Sequence, residues 1–241
     1  GHIYAKFNGA RKQGAGEEGA AVENAGSVTA EGGRVALGAG DTIGLAVHST
    51  GRVKGRGVTI KGGDGSTVAV SGNVDASDDS ADATGGTVKI LGEKVGLFDA
   101  DISASGTTGG GEILIGGGYK GSDPEVRNAS RTYLDSEVVI EANALRKGDG
   151  GKVIVWSDEM TTSRGRIFAR GGPQGGDGGF VEVSGKNLNT RISLVDVSAA
   201  AGQTGTALFD PVDIDIVGGA GDGEDNDANA DKLDDSGDAD G

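Results

Sequence analysis

Cysteine is absent from the 241-residue sequence, while methionine and tryptophan occur once each and proline three times. Without thiols the chain has no disulfide framework and no thiolate metal site, and two histidines, His2 and His48, are too few to build a zinc site. The scarcity of proline and the lack of a Gly-X-Y period exclude a collagen-like chain. No apolar run reaches the roughly 18 residues of a membrane-spanning helix, so we expect no membrane insertion.

Positive charge is also scarce, since 22 basic residues stand against 37 acidic ones and the net charge is −15. Residues 218–241 hold nine acidic residues and one lysine, so this stretch carries −8 and the rest of the chain −7. Its composition predicts a flexible acidic tail or linker after a folded part over residues 1–217. An acidic surface without clusters of aromatic and basic residues argues against nucleic acid as a partner.

Glycine is abundant, and pairs of glycine open a motif that recurs along the chain. We call it the glycine-pair motif; its copies are GGRVALG at 32, GGTVKILG at 85, GGEILIGG at 110, GGKVIVW at 150 and GGFVEVSG at 178, with weaker copies GSTVAV at 65 and GTALF at 205. Two and four residues after the second glycine the side chains are aliphatic. This alternation predicts a strand with one buried face and one mostly polar, solvated face.

A second motif lies between these copies: a branched residue, then alanine, then glycine soon after. Its copies contain Val74, Ile102, Ile140, Ile167 and Val195. Each repeat therefore holds at least two short strands, and only EANALRK gives a modest helix signal. A strand with one apolar face must be covered by its neighbours. Stacking the copies about 4.8 Å apart predicts an all-β, right-handed parallel β-helix with an aliphatic interior and roughly eight to ten coils.

The longest interval between copies, from 111 to 151, predicts a loop or hairpin excursion from the coil over about residues 118–135. We expect it to fold back over Leu114 and Ile154, which are apolar on the otherwise polar strand face. Trp156 is expected to pack beside it with Tyr133 or Phe168, or to form a platform for a carbohydrate. The predicted contact residues are Tyr119, Lys120, Arg127, Arg131, Tyr133 and Trp156. Asn128 begins an N-x-S sequence that could be glycosylated.

The stretches GGGEILIGGGYKGSDPEVRNASRTYLD, ANALRKGDGGKVIVWSDEMTT and ARGGPQGGDGGFVEVSGK, followed by GTALFDPVDIDI, resemble the filamentous haemagglutinin family. The resemblance runs from about Asn24 to Val217. It implies a right-handed β-helix in a large exoprotein of Gram-negative bacteria, exported by two-partner secretion through an outer-membrane transporter and displayed on the cell surface as an adhesin. The family's secretion domain is not evident, so we expect an internal fragment that lies downstream of it.

Clusters of carboxylates leave catalysis open as an alternative, because parallel β-helices also host polysaccharide lyases and hydrolases. The candidates are Asp75, Asp78 and Asp79, Asp99 and Asp101, and Asp213 and Asp215. A hydrolase needs two carboxylates about 5–9 Å apart across neighbouring coils. These acids follow glycine and serine in turns and have no basic cluster nearby in sequence, so we expect solvated turn residues instead.

The tail offers a second alternative, since Asp222, Asp225, Asp227 and Asp231 supply oxygen ligands that suit calcium. Their spacing does not match an EF-hand loop, and a plain linker is the simpler expectation. We therefore expect no cofactor and no catalysis. The favoured hypothesis is a secreted, adhesive segment of a surface exoprotein whose host-cell, matrix or glycan receptor the sequence does not name. The stalk of a contact-dependent toxin is the other alternative.

Overall fold

Eighteen strands and one short helical turn make up the computed structural model, which describes residues 2–7, 20–40, 44–190 and 193–211. The strands are β1 (His2–Phe7), β2 (Val22–Asn24), β3 (Ser27–Ala39), β4 (Gly44–Ser49), β5 (Arg52–Lys61), β6 (Ser66–Val70), β7 (Asn73–Asp75), β8 (Thr87–Leu91), β9 (Lys94–Leu97), β10 (Asp101–Ser103), β11 (Glu112–Ile115), β12 (Arg131–Leu134), β13 (Val139–Glu141), β14 (Lys152–Ser163), β15 (Arg166–Phe168), β16 (Phe180–Asn189), β17 (Leu194–Asp196) and β18 (Thr206–Pro211). The only helical element within these ranges is a 3-10 turn at Tyr119–Gly121.

The strands stack in parallel and in register on three faces of a coil. Face A comprises β1, β8, β11, β18 and parts of β3, β5, β14 and β16; face B comprises β2, β4, β6, β9, β12 and the ends of β14 and β16; face C comprises β7, β10, β13, β15, β17 and the starts of β3 and β5. The chain therefore winds from C to A to B in each coil. This confirms the predicted all-β parallel β-helix, and its right-handed sense stays a prediction.

The two sequence motifs occupy two of these faces. On face C the branched residues Val74, Ile102, Ile140, Ile167 and Val195 pair with one another in consecutive coils. On face A the aliphatic residues of the glycine-pair motif form a second column, for example Val88, Ile113, Val153 and Val181. These side chains are buried in one continuous core, except that Val195 is half-buried at its edge. The two recurring motifs thus determine the register in which consecutive coils stack.

Glycine pairs mark the corner between faces C and A, where successive coils come very close. A Cβ atom at Gly111 would overlap the carbonyl oxygen of Gly86 in the preceding coil, and one at Gly151 would overlap that of Gly111. The same glycine also closes its own coil, since the Gly111 N–H donates to the Ala104 carbonyl at 2.7 Å. Neither Gly111 nor Gly151 has a positive φ. Close approach of the backbones therefore requires glycine here.

Two details differ from the prediction. Face A stacks eight strands, β1 to β18, so the unit has seven turns rather than eight to ten. The estimate was too high because the coil formed by β10, β11 and β12 spends residues 116–130 outside the stack. The copy GSTVAV belongs to β6 on face B and does not continue the face A column. The stretch EANALRK, whose helix signal was modest, holds the end of β13 and a bend, as its strand-type motif predicted.

Two compact units divide the chain, Gly1–Pro211 and Val212–Gly241. The first is the β-helix. The second lies outside the described residues, as do the acidic-tail prediction, the calcium alternative and the acids Asp213 and Asp215. Within the described ranges, no helix has the length and apolar character needed to cross a membrane.

Candidate contact surfaces

The predicted excursion leaves the coil after β11 and returns before β12, at the corner between faces A and B. It is a loop over residues 116–130 with one 3-10 turn, and it contains no strand. Its Val126 packs with Leu91, Leu114 and Ile154 in a buried cluster on the outward side of face A. The expectation that the excursion covers Leu114 and Ile154 is therefore confirmed. The lid exists because consecutive coils present apolar residues where other coils present Lys89 or Thr59.

The excursion ends sooner than predicted. Arg131 and Tyr133 belong to β12, which pairs with β9 on one side and β14 on the other, so these two residues lie on face B of the coil. Extending the excursion to residue 135 was wrong because the inward side chains Thr132 and Leu134 fill the core. The six predicted contact residues accordingly fall on two surfaces. The first surface is the excursion and its base, which hold Tyr119, Lys120, Arg127 and Trp156 together with the sequon residue Asn128. The second surface lies on face B and holds Arg131 and Tyr133.

Trp156 holds the base of the excursion. Its indole packs against the buried cluster and lies under Gly117 and Gly121 of the loop. The Asp158 carboxylate accepts hydrogen bonds from Trp156 Nε1 at 2.9 Å and from Asn128 Nδ2 at 3.0 Å. Trp156 lies beside the excursion as predicted. The predicted ring partners were wrong, because Tyr133 stacks with Phe98 and Phe168 lies under Arg170.

The sequon residue Asn128 is tied into this base. Its amide nitrogen donates to the Gly121 carbonyl at 2.9 Å as well as to Asp158. An attached glycan requires that same nitrogen, so the two uses compete in the folded loop. Glycosylation of Asn128 stays a prediction.

Glu182 fixes the tip of the excursion, and sequence reasoning missed it. The alternation placed Glu182 on the solvated face, but its side chain is fully buried under the loop. Both carboxylate oxygens accept a hydrogen bond from the Lys120 N–H, at 3.2 and 3.1 Å, and Lys120 has a left-handed φ of 52°. Burial raises the pKa of Glu182, the Lys120 N–H opposes this, and the charge of Asp210 adds to the rise.

The outer side of the excursion is mixed aromatic and basic. Tyr119 is 41% exposed and meets Phe180 edge-on, with ring centroids 5.7 Å apart. The ammonium groups of Lys120 and Lys152 lie 5.5 and 6.0 Å from the Tyr119 ring centre. An exposed aromatic ring with two cations beside it can stack on a ligand and contact an anionic group of it.

Arg127 anchors the excursion to coils that precede it. Its guanidinium binds the carboxylates of Asp64 and Glu93, the latter at 2.7 Å. Burial lowers the pKa of Arg127, but the hydrogen bonds that its guanidinium donates to these two carboxylates outweigh that effect and hold the pKa above its ordinary value. Arg127 was predicted as a contact residue. In the structure its guanidinium is instead engaged in ion pairs within the protein.

The second surface is a groove of about 280 Å³ on face B. Phe98 and Met160, 44% and 41% exposed, line it with Tyr133, and the Phe98 and Tyr133 ring centroids are 5.6 Å apart. Lys94 and Arg131 stand at its edge. Phe98 and Met160 were not predicted, although following the face B register from Arg131 to its partner on β14 would have found Met160.

Among the carboxylate candidates of the described ranges, only Asp75 and Asp78 form ion pairs, whereas Asp79, Asp99 and Asp101 are exposed and form none. Asp75 is buried and binds Arg52 and Lys54 at 2.9 and 3.0 Å, and Asp78 binds Arg56 at 3.1 Å. The expectation of solvated turn acids without basic neighbours was wrong for Asp75, because pairing of β5 with β7 brings the cations beside it. Burial raises the pKa of Asp75, but hydrogen bonds from Ser77 and the charge of Lys54 lower it below its ordinary value.

Metal binding has no support in the described ranges, where no three His, Asp or Glu side chains come together in a group that could hold an ion. His48 lies half-buried on β4 and approaches no such group.

Comparison with known proteins shows a similarity to a bacterial secretion domain. No family model matches the sequence, and no curated protein matches it. Among solved structures, the crystal structure of the HMW1 secretion domain from Haemophilus influenzae is similar, with a TM-score of 0.58 and 27% sequence identity. The similarity covers 76% of this chain and 49% of the other, so this chain spans about half the length of that domain. The expectation that the chain lies downstream of a secretion domain gains no support from this neighbour.

Proposed function

We propose that this chain is a secreted, non-catalytic β-helical segment of a surface exoprotein that attaches bacteria to host cells, matrix or glycans. Its export would follow two-partner secretion, with an outer-membrane transporter as partner. The observation that carries the proposal is the similarity to the HMW1 secretion domain over 76% of the chain. A stacked coil also suits this role, because each coil adds outward positions without changing the core.

The attachment surfaces in this proposal are the outer side of the excursion and the face B groove. Both expose aromatic rings beside cations, Tyr119 with Lys120 and Phe98 with Arg131. Tyrosine and arginine supply large contact areas at binding surfaces. Weak contacts at two separate surfaces, repeated on many copies at a cell surface, would raise avidity without a deep pocket.

Attachment can be measured with beads coated with the purified chain, incubated with cultured epithelial cells and with a glycan array. We expect attachment to fall at least threefold when Tyr119 and Lys120 are replaced by serine, and to fall similarly for Phe98→Ser with Tyr133→Ser. A matched control is Leu145→Ser with Leu194→Ser, which removes exposed apolar side chains elsewhere. Beads that attach no better than albumin-coated beads would refute the proposed function.

The non-catalytic part of the proposal has its own test. Among the candidate carboxylates of the described ranges, Asp75 and Asp78 lie beside arginine or lysine side chains of a neighbouring coil, and ion pairs occupy both. We expect no new reducing ends and no unsaturated uronate absorbance when the chain is incubated with pectin, alginate or hyaluronan. Turnover that disappears in Asp75→Asn would show that the chain is an enzyme.

A further inference from the structure

An open trough lies on the outward side of face A, on coils that the excursion leaves uncovered. Its volume is about 790 Å³, and Gly57, Thr59 and Thr87 form its floor. Gly85 and Gly86 form the adjoining corner, where the close approach of backbones admits no side chain. The trough therefore results from the requirement for glycine where coils stack closely. The excursion covers the outward side of face A on later coils, but on the coils of β3, β5 and β8 backbone and hydroxyl groups stay uncovered.

Two unpaired cations stand on opposite sides of this floor. Arg34 pairs in register with Gly57, and Lys89 pairs with Thr59 one coil further along. Two strand spacings of about 4.8 Å put the two residues roughly 10 Å apart along the stack. The Arg34 side chain lies across Gly57, since a Cβ there would be 3.2 Å from Arg34 Cγ. In the described part of the chain, neither cation forms an ion pair.

The other charged residues that the structure describes in the lining of the trough are already neutralised. Arg56 binds Asp78 at 3.1 Å, and Glu112, at the end nearer the excursion, binds Lys152 at 3.3 Å. What remains is a local surplus of two positive charges on a chain whose net charge is −15. Since the chain as a whole is acidic, an anionic ligand is attracted to local cationic places such as this one rather than to the molecule as a whole.

We propose that this trough binds a linear polysaccharide that carries sulfate or carboxylate groups. Arg34 and Lys89, two strand spacings apart across the stack and two residues apart along the strand, contact anionic groups about 12 Å apart. The hydroxyls of Thr59 and Thr87, which bond to no other described residue, bind sugar hydroxyls. Among the residues that the structure describes, no aromatic side chain lines the trough, which disfavours single-stranded nucleic acid because that ligand stacks its bases on aromatic rings. The inference rests on the proposed function only for its biological role, since binding itself is measurable without cells.

Binding is tested on sensor surfaces coated with dextran sulfate, polygalacturonate or neutral dextran. We expect the intact chain to bind at least one of the two polyanions and not neutral dextran. The affinity should fall as salt rises, because exposed charges are screened within about 8 Å at physiological ionic strength. The dextran sulfate and polygalacturonate surfaces distinguish sulfate from carboxylate. Failure to bind either polyanion, or equal binding to duplex DNA, would overturn the proposal.

Variants locate the site. Arg34→Ser with Lys89→Ser should raise the Kd at least tenfold, whereas Lys147→Ser with Arg166→Ser removes the same charge at exposed positions outside the trough and should change it less than twofold. Gly57→Thr fills the floor without altering charge and should also weaken binding. Equal losses in the two double variants would mean that any cation suffices, which contradicts a built site.

The same variants separate this inference from the proposed function. If the coated beads attach to cells through the excursion and the face B groove but the Arg34 and Lys89 variant binds polyanions normally, only the trough assignment fails. If the trough binds polyanions as described but no bead attaches to any cell or glycan, the attachment role fails and the trough remains.

Discussion

Gly111 shows at the residue scale why the chain repeats its glycine pairs. The position accepts no Cβ, because the Gly86 carbonyl of the coil below occupies that space. The backbone N–H of Gly111 is needed as well, since it closes the corner onto Ala104. One residue therefore serves both the stacking between coils and the closure of its own coil.

Gly111→Ala should destabilise the unit by at least about 2 kcal/mol, because an overpacked backbone contact must shift the coil. Gly26→Ala is a matched control, since a Cβ there meets nothing within 4 Å, and its change should stay within about 0.5 kcal/mol. Urea unfolding followed by circular dichroism measures both. Equal stability of the two variants would contradict the steric account of the corner.

Glu182 makes a second residue-scale prediction, with a defined sign. Its pKa is raised in the folded chain, so the folded state binds the proton more readily than the unfolded state. The resulting stabilisation is fully present below the ordinary value of 4.5 and is lost as pH rises through the folded-state pKa. We expect Glu182→Gln to equal or exceed the parent in stability at pH 7, because the amide keeps an acceptor for the Lys120 N–H. The difference should vanish below pH 4.5 in urea titrations at several pH values.

For Asp75 the pKa shift, and with it the pH dependence of stability, has the opposite sign to that of Glu182. Its pKa is lowered, so its stabilisation is present above the ordinary value of 3.8 and is lost as pH falls through the folded-state pKa. Asp75→Asn should therefore cost about 1 kcal/mol at pH 7, where it leaves Arg52 and Lys54 without their shared partner. The cost should shrink in acid, and a cost that grows as pH falls would refute the assignment.

At the scale of elements, the excursion is a lid that replaces a two-residue corner. Between β8 and β9 the same corner is bridged by Gly92 and Glu93 alone. Replacing residues 116–130 with Gly-Glu should leave the coil intact and expose Leu114 and Ile154. Because each buried aliphatic side chain is worth about 1.5–3 kcal/mol, the loss should be about 3–6 kcal/mol.

The control for this truncation changes the exposed residues as well. Leu114 and Ile154 share an outward column with Lys89, so threonine at both positions suits a solvated strand. The truncated chain with Leu114→Thr and Ile154→Thr should stay monomeric in analytical ultracentrifugation, whereas the truncation alone should aggregate. Aggregation of both would mean that the loop also holds the strands together.

The sequence predicted the lid and its apolar base because Leu114 and Ile154 break the polar alternation visibly. It could not predict the burial of Glu182, which keeps the alternation and is covered by Lys120, a residue 62 positions away. The sequence also did not show where the excursion ends. The segment RTYL at Arg131–Leu134 has a threonine at an inward position, which gives only a weak strand signal. Burial there is decided by neighbours in the preceding and following coils, which local periodicity does not contain.

For the whole β-helix unit, the face C column predicts a graded stability. Ile140 lies between Ile102 and Ile167 and is fully buried, whereas Val195 lies in the last strand of the column and is only half-buried. Ile140→Ala should cost about 2–5 kcal/mol and Val195→Ala clearly less. In a stacked array each repeat contacts only its neighbours. Amide exchange should therefore be slowest in the central coils, and uniform protection from β2 to β17 would contradict this.

Parallel, in-register pairing also gives the unit two very different mechanical responses. A pull along the stacking axis acts on one set of inter-coil hydrogen bonds on all three faces together. A pull on β18 itself meets only the bonds of one coil, since among the described strands β18 pairs with β16 alone. The hydrogen bonds of this last described strand can therefore break one after another, whereas the excursion, bound to Asp64, Glu93 and Glu182 in different coils, holds those coils together.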